Sequence, residues 1–585
     1  MPDIAFSTLS LPASWSYIAQ NHRLSLGICQ QSGSWPVVIK SDKTSWIILL
    51  SRTDSADRVL REFRKYPDRF IDKLGICAGI IWQPHTGKLC VFRDKFGFIP
   101  LMLIHHEDGG ITVTSSPELH TEHTRHRAVN RAYFGRFLRM IDTPSTDDVF
   151  EHTERILPGE IRHFSTTQNQ DDTIDWHYQT SRRSCYCHRR HYTPLNSSYS
   201  NLTEQLRQVL IEAASRIPSE NPIFTLSGGL DSSGILASYC YSRHPSSIDA
   251  FSLISTSHAT CDESHELNIL ERTFPIQLQR INMDKAWPLS EPELYHKYRS
   301  YGPLVAPGIE STLAIYRKIE NQFGPRMVIT GYGGNFIVKV RNEALWRHLL
   351  THAVHHKQTR TEIINEISVL RYRDLRLLAA RVLGNLADGK IRETMKGCFT
   401  PHHHNPYIFN NLFAAQFPIE RTDPVFFMSH CEERAWLPIS WEWEMCVRAL
   451  DIIARETSHA YYDPLFDPKV YDFCAQIPPQ YFLLCKDYRT IYKDALAPLL
   501  PKEIIHHPKI QSFDDLMLDG LCVHAKNFIL HKIETSPNWI QDILNTNALA
   551  NAFKNYCQAS RDRTSMPYPI THIWRALSTC IWGTN

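Results

Sequence analysis

No apolar run in this 585-residue chain approaches 18 residues, so nothing in it is long enough to span a membrane as a helix. Its first residues, Met1-Pro-Asp-Ile-Ala-Phe6, lack the basic start and apolar core of a secretory signal. Neither sign of charge dominates. With 63 Lys and Arg against 61 Asp and Glu, the net charge is +2, too weak a field to gather nucleic acid or anionic lipid. The 15 cysteines follow no disulfide framework, which suits reduced thiols in a cytoplasm. Metal-finger patterns are missing too. Cys185-Tyr-Cys187-His188 with His191 has no second ligand pair at finger spacing, and His402-His-His404 reads as a loop. His120, His123 and His126 sit in what reads as a charged connector.

What is present is ordinary globular content, 43% apolar and 21% charged. The chain is too long for one core, so two or three domains are expected. Strands are predicted at Trp46–Leu50, Ile76–Trp82, Lys88–Phe92 and Leu101–Ile104, with turns at Pro84-His-Thr-Gly87 and Asp108-Gly-Gly110. From about Gln168 to Ser200 the sequence is polar and has no apolar period. This divides the chain into a first domain over 1–180, a linker over 181–200 and a second domain over 201–585. In the second, the apolar segments Pro222–Leu226, Asp249–Ile254 and Arg326–Thr330 alternate with helical runs, the pattern of a doubly wound parallel α/β sheet. Residues 345–450 read as mostly helical, with an irregular interval near 399–428.

The most informative segment is Leu226-Ser227-Gly228-Gly229-Leu230-Asp231-Ser232-Ser233. It lies where a strand turns into a helix. Two glycines let backbone N–H groups approach an anion closely. The helix start favours phosphate, and the serines add hydroxyl donors. Asp231 beside a phosphate implies a bridging cation, Mg²⁺. No G-x-x-x-x-G-K-[ST] string occurs, so the loop is not a Walker loop. It resembles the pyrophosphate loop of ATP pyrophosphatases, which cleave ATP between the α- and β-phosphates.

Further segments resemble the asparagine synthetases. Arg93-Asp-Lys-Phe-Gly-Phe-Ile-Pro100 with Thr114-Ser-Ser-Pro-Glu-Leu119 is similar to the signature of their N-terminal class II glutaminase domain, and Ile156-Leu-Pro-Gly159 to the turn that closes it. Asp463-Pro-Leu-Phe-Asp-Pro468, Lys486-Asp-Tyr-Arg489, Leu500-Pro-Lys-Glu503 and His507-Pro-Lys509 resemble the C-terminal motifs in the same order. The resemblance implies an Ntn-type αββα glutaminase-like domain followed by an ATP-pyrophosphatase synthetase domain with extra helices.

Three departures narrow the family. Position 2 is Pro, where a working class II glutaminase carries the cysteine whose α-amine serves as base, so glutamine hydrolysis is not expected. Cys29, Cys77 and Cys90 read as core thiols. Thr330-Gly331-Tyr332-Gly-Gly-Asn335-Phe336 is similar to the TGYGxD segment of β-lactam synthetases, where the tyrosine is catalytic. The interval from Asn335 to Pro464, about 130 residues, is longer than in asparagine synthetases. Lasso-peptide macrolactam synthetases (lasso cyclases, or C proteins) combine these features.

The resemblance implies ATP on residues Leu226 to Ser233, on Ser252 and Leu253, and on Thr330 and Gly331, with Mg²⁺ on Asp231 and Asn335. It also implies Lys509 as the charge-stabilising lysine, Tyr332 as the catalytic tyrosine and Glu444 as its carboxylate partner, with Glu442 a near competitor. Asn335 stands where the family usually has Asp. The expected substrate is a precursor peptide, bound near 345–450, with a leader-removing peptidase and leader-recognition protein as partners. A β-lactam synthetase-like or ammonia-dependent ligase of small molecules, and a non-catalytic scaffold, remain as alternatives.

Overall fold

The computed structural model describes residues 3–584 except 8–10, 12–15, 22–23, 30–36, 42–44, 52–53, 140–144, 169–173, 187–190, 218–221, 259–261, 305–306, 339–407, 411–429, 483–488, 508–513 and 563–569. In the first domain, twelve strands pair into two antiparallel six-stranded sheets. In chain order they are β1 (Asp3–Ser7), β2 (Ser16–Asn21), β3 (Leu24–Cys29), β4 (Val37–Ser41), β5 (Trp46–Ser51), β6 (Cys77–Gln83), β7 (Lys88–Arg93), β8 (Met102–His105), β9 (Ile111–Thr114), β10 (Thr153–Arg155), β11 (Glu160–Gln168) and β12 (Ile174–Cys185). The sheets run β10-β8-β9-β1-β3-β2 and β12-β11-β7-β6-β5-β4. Ile4 and Phe6 of one sheet share a core with Ile48, Leu50, Ile80 and Trp82 of the other, and the Phe6 and Trp82 rings meet edge to face at 5.8 Å.

Helices cover both outer faces. Helix α1 (Ala56–Lys65) sets Val59 and Leu60 against Ile47, Leu49 and Phe92. Helix α2 (Pro117–Thr124) sets Leu119 against Ala5. Helix α3 (Arg131–Arg139) shares a core with Met102. Burial on both faces explains why Ile47 to Leu50 is an unbroken apolar run.

Two sequence expectations need correction here. Residues 181–185 are not linker: β12 continues to Cys185, which pairs with Glu160. As the edge strand of its sheet, β12 can be polar and lack an apolar period. His120 is not in a connector but on α2 and fully buried, where burial pulls its imidazole down to about 4.

The second domain begins with α4 (Tyr199–Ser215) and is built on five parallel strands in the order β15-β14-β13-β16-β17. These are β13 (Pro222–Thr225), β14 (Ile248–Ile254), β15 (Ile276–Asn282), β16 (Met327–Ile329) and β17 (Ala460–Tyr462), all joined in parallel register. Crossovers include α5 (Leu230–Arg243), α6 (Ser264–Thr273) and α7 (Ile309–Phe323). The order reverses at β13, which pairs with β14 on one side and β16 on the other. Such a switch point opens a crevice at the carboxyl ends of the strands. Most of the expected peptide-binding region, 345–450, lies outside the described residues; its described end holds α8 (His430–Trp436) and α9 (Trp441–Glu456). No helix among the described residues is long and apolar enough to cross a membrane.

Helix α9 ties the domains together. Trp443 is buried, its indole N–H donating to the Phe96 carbonyl at 2.6 Å, and its ring sits 4.8 Å from Phe466 and 5.2 Å from Phe336. One turn of the same helix places Glu444 and Arg448 in a buried charge cluster with Arg93, Arg155 and Asp148 of the first domain. Glu444 therefore is not a partner for Tyr332; its carboxylate pairs with Arg93 at 3.5 Å, Arg448 at 3.4 Å and Arg155 at 4.0 Å. Burial opposes its charge, but the three guanidinium groups outweigh that and hold it below the usual carboxylate range. Removing the carboxylate would leave buried cations uncompensated. Glu444→Ala is expected to cost about 3–5 kcal/mol of stability, measured by guanidinium unfolding; a loss under about 1 kcal/mol would contradict this structural role.

Candidate active site

Four loops meet at the carboxyl ends of the parallel strands. Residues 226–229 leave β13 and enter α5, whose N-cap Gly229 has no side-chain cap, so first-turn N–H groups point outward from a 14-residue helix. The loop is braced from within. Ser232 Oγ lies 3.2 Å from both the amide and the hydroxyl of Ser227, and the Gly229 N–H meets Ser227 Oγ at 3.3 Å. From α6 and the residue before it, Glu263 accepts the Gly228 N–H at 3.3 Å, and Glu266 pairs with His507 at 3.1 Å. Neither glutamate was anticipated; the signal was two acids three residues apart just after the β14 strand end. Ser233 Oγ, Ser252 Oγ and Glu266 Oε2 are buried without a hydrogen-bond partner. All three belong to the segments that meet at these strand ends, the kind of inventory a polar ligand satisfies.

The loop after β16 packs directly on the start of α5. A Cβ at Gly331 would fall 2.6 Å from the Ser232 N, and one at Gly334 would fall 2.0 Å from Asp231 Cγ. At Gly331 the backbone of α5 would have to give way, and at Gly334 the Asp231 carboxylate would have to move. Asp463, at the end of β17, fastens this loop: it accepts the N–H groups of Gly333 at 2.8 Å and Leu465 at 2.9 Å. Thr330 Oγ1 lies 3.3 Å from the same carboxylate and 2.8 Å from the Tyr461 hydroxyl. Tyr332 stands out of the loop, 43% exposed, its hydroxyl 3.8 Å from Cys446 Sγ.

Asp231 and Asn335 are brought together. Arg489, just before α10 (Thr490–Leu496), places Nη1 2.7 and 2.6 Å from the two Asp231 oxygens and Nη2 3.1 Å from Asn335 Oδ1. A carboxylate and an amide oxygen thus converge on one cation, the hard-oxygen donor chemistry that Mg²⁺ takes, and the residues fit such an ion. Leu226, Leu230, Ser252 and Leu253 line the adjoining strand ends, with Leu226 and Ser252 buried. Lys509 lies outside the described residues, as does the side chain of Glu442. His507, two positions before the lysine, is the last described residue of its segment and is held beside the loop by Glu266. In the first domain Cys77 and Cys90 are buried core thiols, and burial with nearby Asp94 pushes the Cys77 thiol up.

Burial raises Asp463 from 3.8 to about 7, while the N–H donors of Gly333 and Leu465 pull the other way and Asp231 adds to the rise. The folded state therefore holds this proton more tightly than the unfolded chain. Its contribution to stability is full below about pH 3.8 and is lost as pH rises through about 7. Asn at 463 cannot titrate, so Asp463→Asn is expected to flatten the fall in stability between pH 5 and pH 8, by at most about 3 kcal/mol. Urea unfolding of both proteins at the two pH values checks this, and parallel slopes would refute it.

Two family models match the chain: one described as asparagine synthase over residues 205–582, and one described as glutamine amidotransferase domain over residues 46–177. No curated protein matches it. The first match takes in the whole parallel sheet, the loop after β13, the Tyr332 segment and Arg489, and covers more than half of the sequence. The chain belongs to the asparagine synthase family, as an ATP-dependent amide ligase of the asparagine synthetase type.

Proposed function

We propose that this ligase closes a macrolactam ring in lasso peptide biosynthesis. It adenylates the side-chain carboxylate of an Asp or Glu in a leader-trimmed precursor peptide and joins it to that peptide's own N-terminal amine. The observation that carries the reading is Tyr332, exposed at the crevice in a loop pinned to Asp231 by Gly331 and Gly334. A tyrosine at this point resembles the catalytic residue of intramolecular cyclases. The long interval between Asn335 and Pro464 supports a substrate larger than an amino acid.

The chemistry has two steps. A carboxylate oxygen attacks the α-phosphorus of ATP and pyrophosphate leaves, giving an acyl-adenylate. The amine nitrogen then attacks the acyl carbon, loses a proton, and AMP leaves with the ring closed. Backbone N–H groups of Leu230 and Asp231 in the first turn of α5 and the hydroxyls of Ser227, Ser232 and Ser233 suit the pyrophosphate. Ser252, Leu253, Thr330 and Gly331 border the nucleotide from the neighbouring strand ends. Lys509 would stabilise charge on the α-phosphate and on the tetrahedral carbon, and the seating of His507 at Glu266 supports its approach to the loop. Asp231 and Asn335 would hold Mg²⁺, which when bound offsets negative charge on the phosphates. Tyr332 would relay the amine proton, accepting it on its hydroxyl oxygen while its own hydroxyl proton passes to solvent, to which it is exposed.

Incubation with ATP, Mg²⁺ and a core peptide bearing a free N-terminus and an internal Asp or Glu is expected to give a peptide lighter by one water, with one AMP per ring. Lys509→Ala is expected to lower turnover by about 10²–10³-fold, and Tyr332→Phe by about 10²-fold or more, read by mass spectrometry and pyrophosphate release. AMP with small carboxylates but never with peptides would favour a β-lactam synthetase-like or ammonia-dependent ligase. No AMP with any substrate would favour a scaffold.

A further inference from the structure

Arg489 is held where the two cation-binding oxygens converge. Its guanidinium spans three separate elements: Asp231 in the first turn of α5, Asn335 at the end of the Tyr332 loop, and its own position ahead of α10. Asp231 and Arg489 are each largely buried, their side chains 19% and 18% exposed. One carboxylate, one neutral amide and one guanidinium sum to zero charge. A free divalent ion meets there a guanidinium already seated on the Asp231 and Asn335 oxygens. A metal ion and the guanidinium cannot occupy the same oxygens together.

The geometry points to Arg489 as a resident cation that makes metal entry depend on the nucleotide. A divalent ion can take Asp231 and Asn335 only when Arg489 leaves them, and leaving is unfavourable unless the guanidinium gains another anion. A polyphosphate on the loop at residues 227–233 supplies that anion, because the planar fork of arginine matches phosphate oxygens. This step rests on the reading that the loop takes the phosphates of ATP. Metal and polyphosphate are then coupled through one side chain, and by linkage each tightens the other by the same factor. The neutral Asn335 sharpens the effect, since a carboxylate at that position would attract a metal ion on its own.

The test uses the full chain with Mn²⁺ as probe, free Mn²⁺ being counted by electron paramagnetic resonance, with and without α,β-methylene-ATP. Wild type is expected to bind Mn²⁺ alone weakly and at least about tenfold more tightly with the analogue. Arg489→Gln is expected to bind Mn²⁺ alone at least about tenfold more tightly than wild type, and to show a smaller gain on adding the analogue. Circular dichroism confirms folding. If Arg489→Gln does not fold, Arg489→Lys, which keeps the charge but loses the fork, is expected to fall between. Equal affinity of wild type and the folded variant for Mn²⁺ alone overturns the proposal. Failure of wild type to bind the analogue with Mn²⁺ present would instead sink the nucleotide-site reading, while the comparison with Mn²⁺ alone still decides the role of Arg489.

Discussion

The carboxylate of Glu444, buried among guanidinium groups from both domains, is the interaction on which the placement of the site depends. It is one residue from Trp443, whose ring lies against Phe336, and two from Cys446, which meets Tyr332. Helix α9 thus has its charged side locked into the first domain and its aromatic side packed on the Tyr332 loop. The neighbouring Lys95, paired with Asp472 at 2.8 Å, and Trp443, bonded to the Phe96 carbonyl, add to the same seam. The segment Arg93–Gly97 that resembles a glutaminase signature therefore works in this chain as an interdomain brace. Without Arg93, Glu444 would lose one of its three guanidinium partners and keep Arg448 and Arg155.

On the other side of that helix the constraint is steric rather than electrostatic. Asp231 must point from the start of α5 toward the next loop, and that loop must come close enough to share its cation. Only glycine at 331 and 334 permits the approach, and only a buried acceptor such as Asp463 can hold the resulting turn from below. The raised affinity of Asp463 for its proton is chiefly the cost of burying a carboxyl group there, with the nearby Asp231 charge adding to it. The parallel sheet makes all of this possible, because reversal of strand order at β13 brings the ends of β14, β13, β16 and β17 side by side.

Much of this was legible before any coordinates. Apolar runs marked β5 to β8 and three of the parallel strands, β13, β14 and β16, to within about two residues, because burial on both faces leaves an unbroken hydrophobic string; β15, whose residues alternate with polar ones, and the three-residue β17 carry no such string. The loop at 226–233 was legible because its glycines, serines and single acid have one chemical rationale. Strand β12 is not legible because it is the edge strand of its sheet and its sequence, IDWHYQTSRRSC, is mostly polar. The role of Glu444 was misread for a different reason. In Trp441-Glu-Trp-Glu-Met445 nothing local says which acid faces water and which faces arginines some 300 residues away in sequence, as Arg93 and Arg155 are. Arg489 stood inside a recognised motif, but its target became visible only when Asp231 and Asn335 were seen to converge.

Without Glu444 beside Tyr332, the demand for a base must be met otherwise, and the proposed reaction keeps that demand small. The attacking group is an α-amine with a pKa of about 7.7–8.0, so roughly a tenth or more of it is neutral at pH 7. The intramolecular amine also needs no capture from solution, since holding both ends of one chain in place supplies the effective concentration. What remains for the protein is to keep water from the acyl-adenylate and to receive one proton after attack. A tyrosine on a loop fastened by Asp463 and open to solvent would meet the second need as a relay, accepting the proton while it passes its own to water. That division of labour, with geometry bearing most of the barrier and acid–base chemistry little, is what a ring-closing ligase requires and what an ammonia-using one does not.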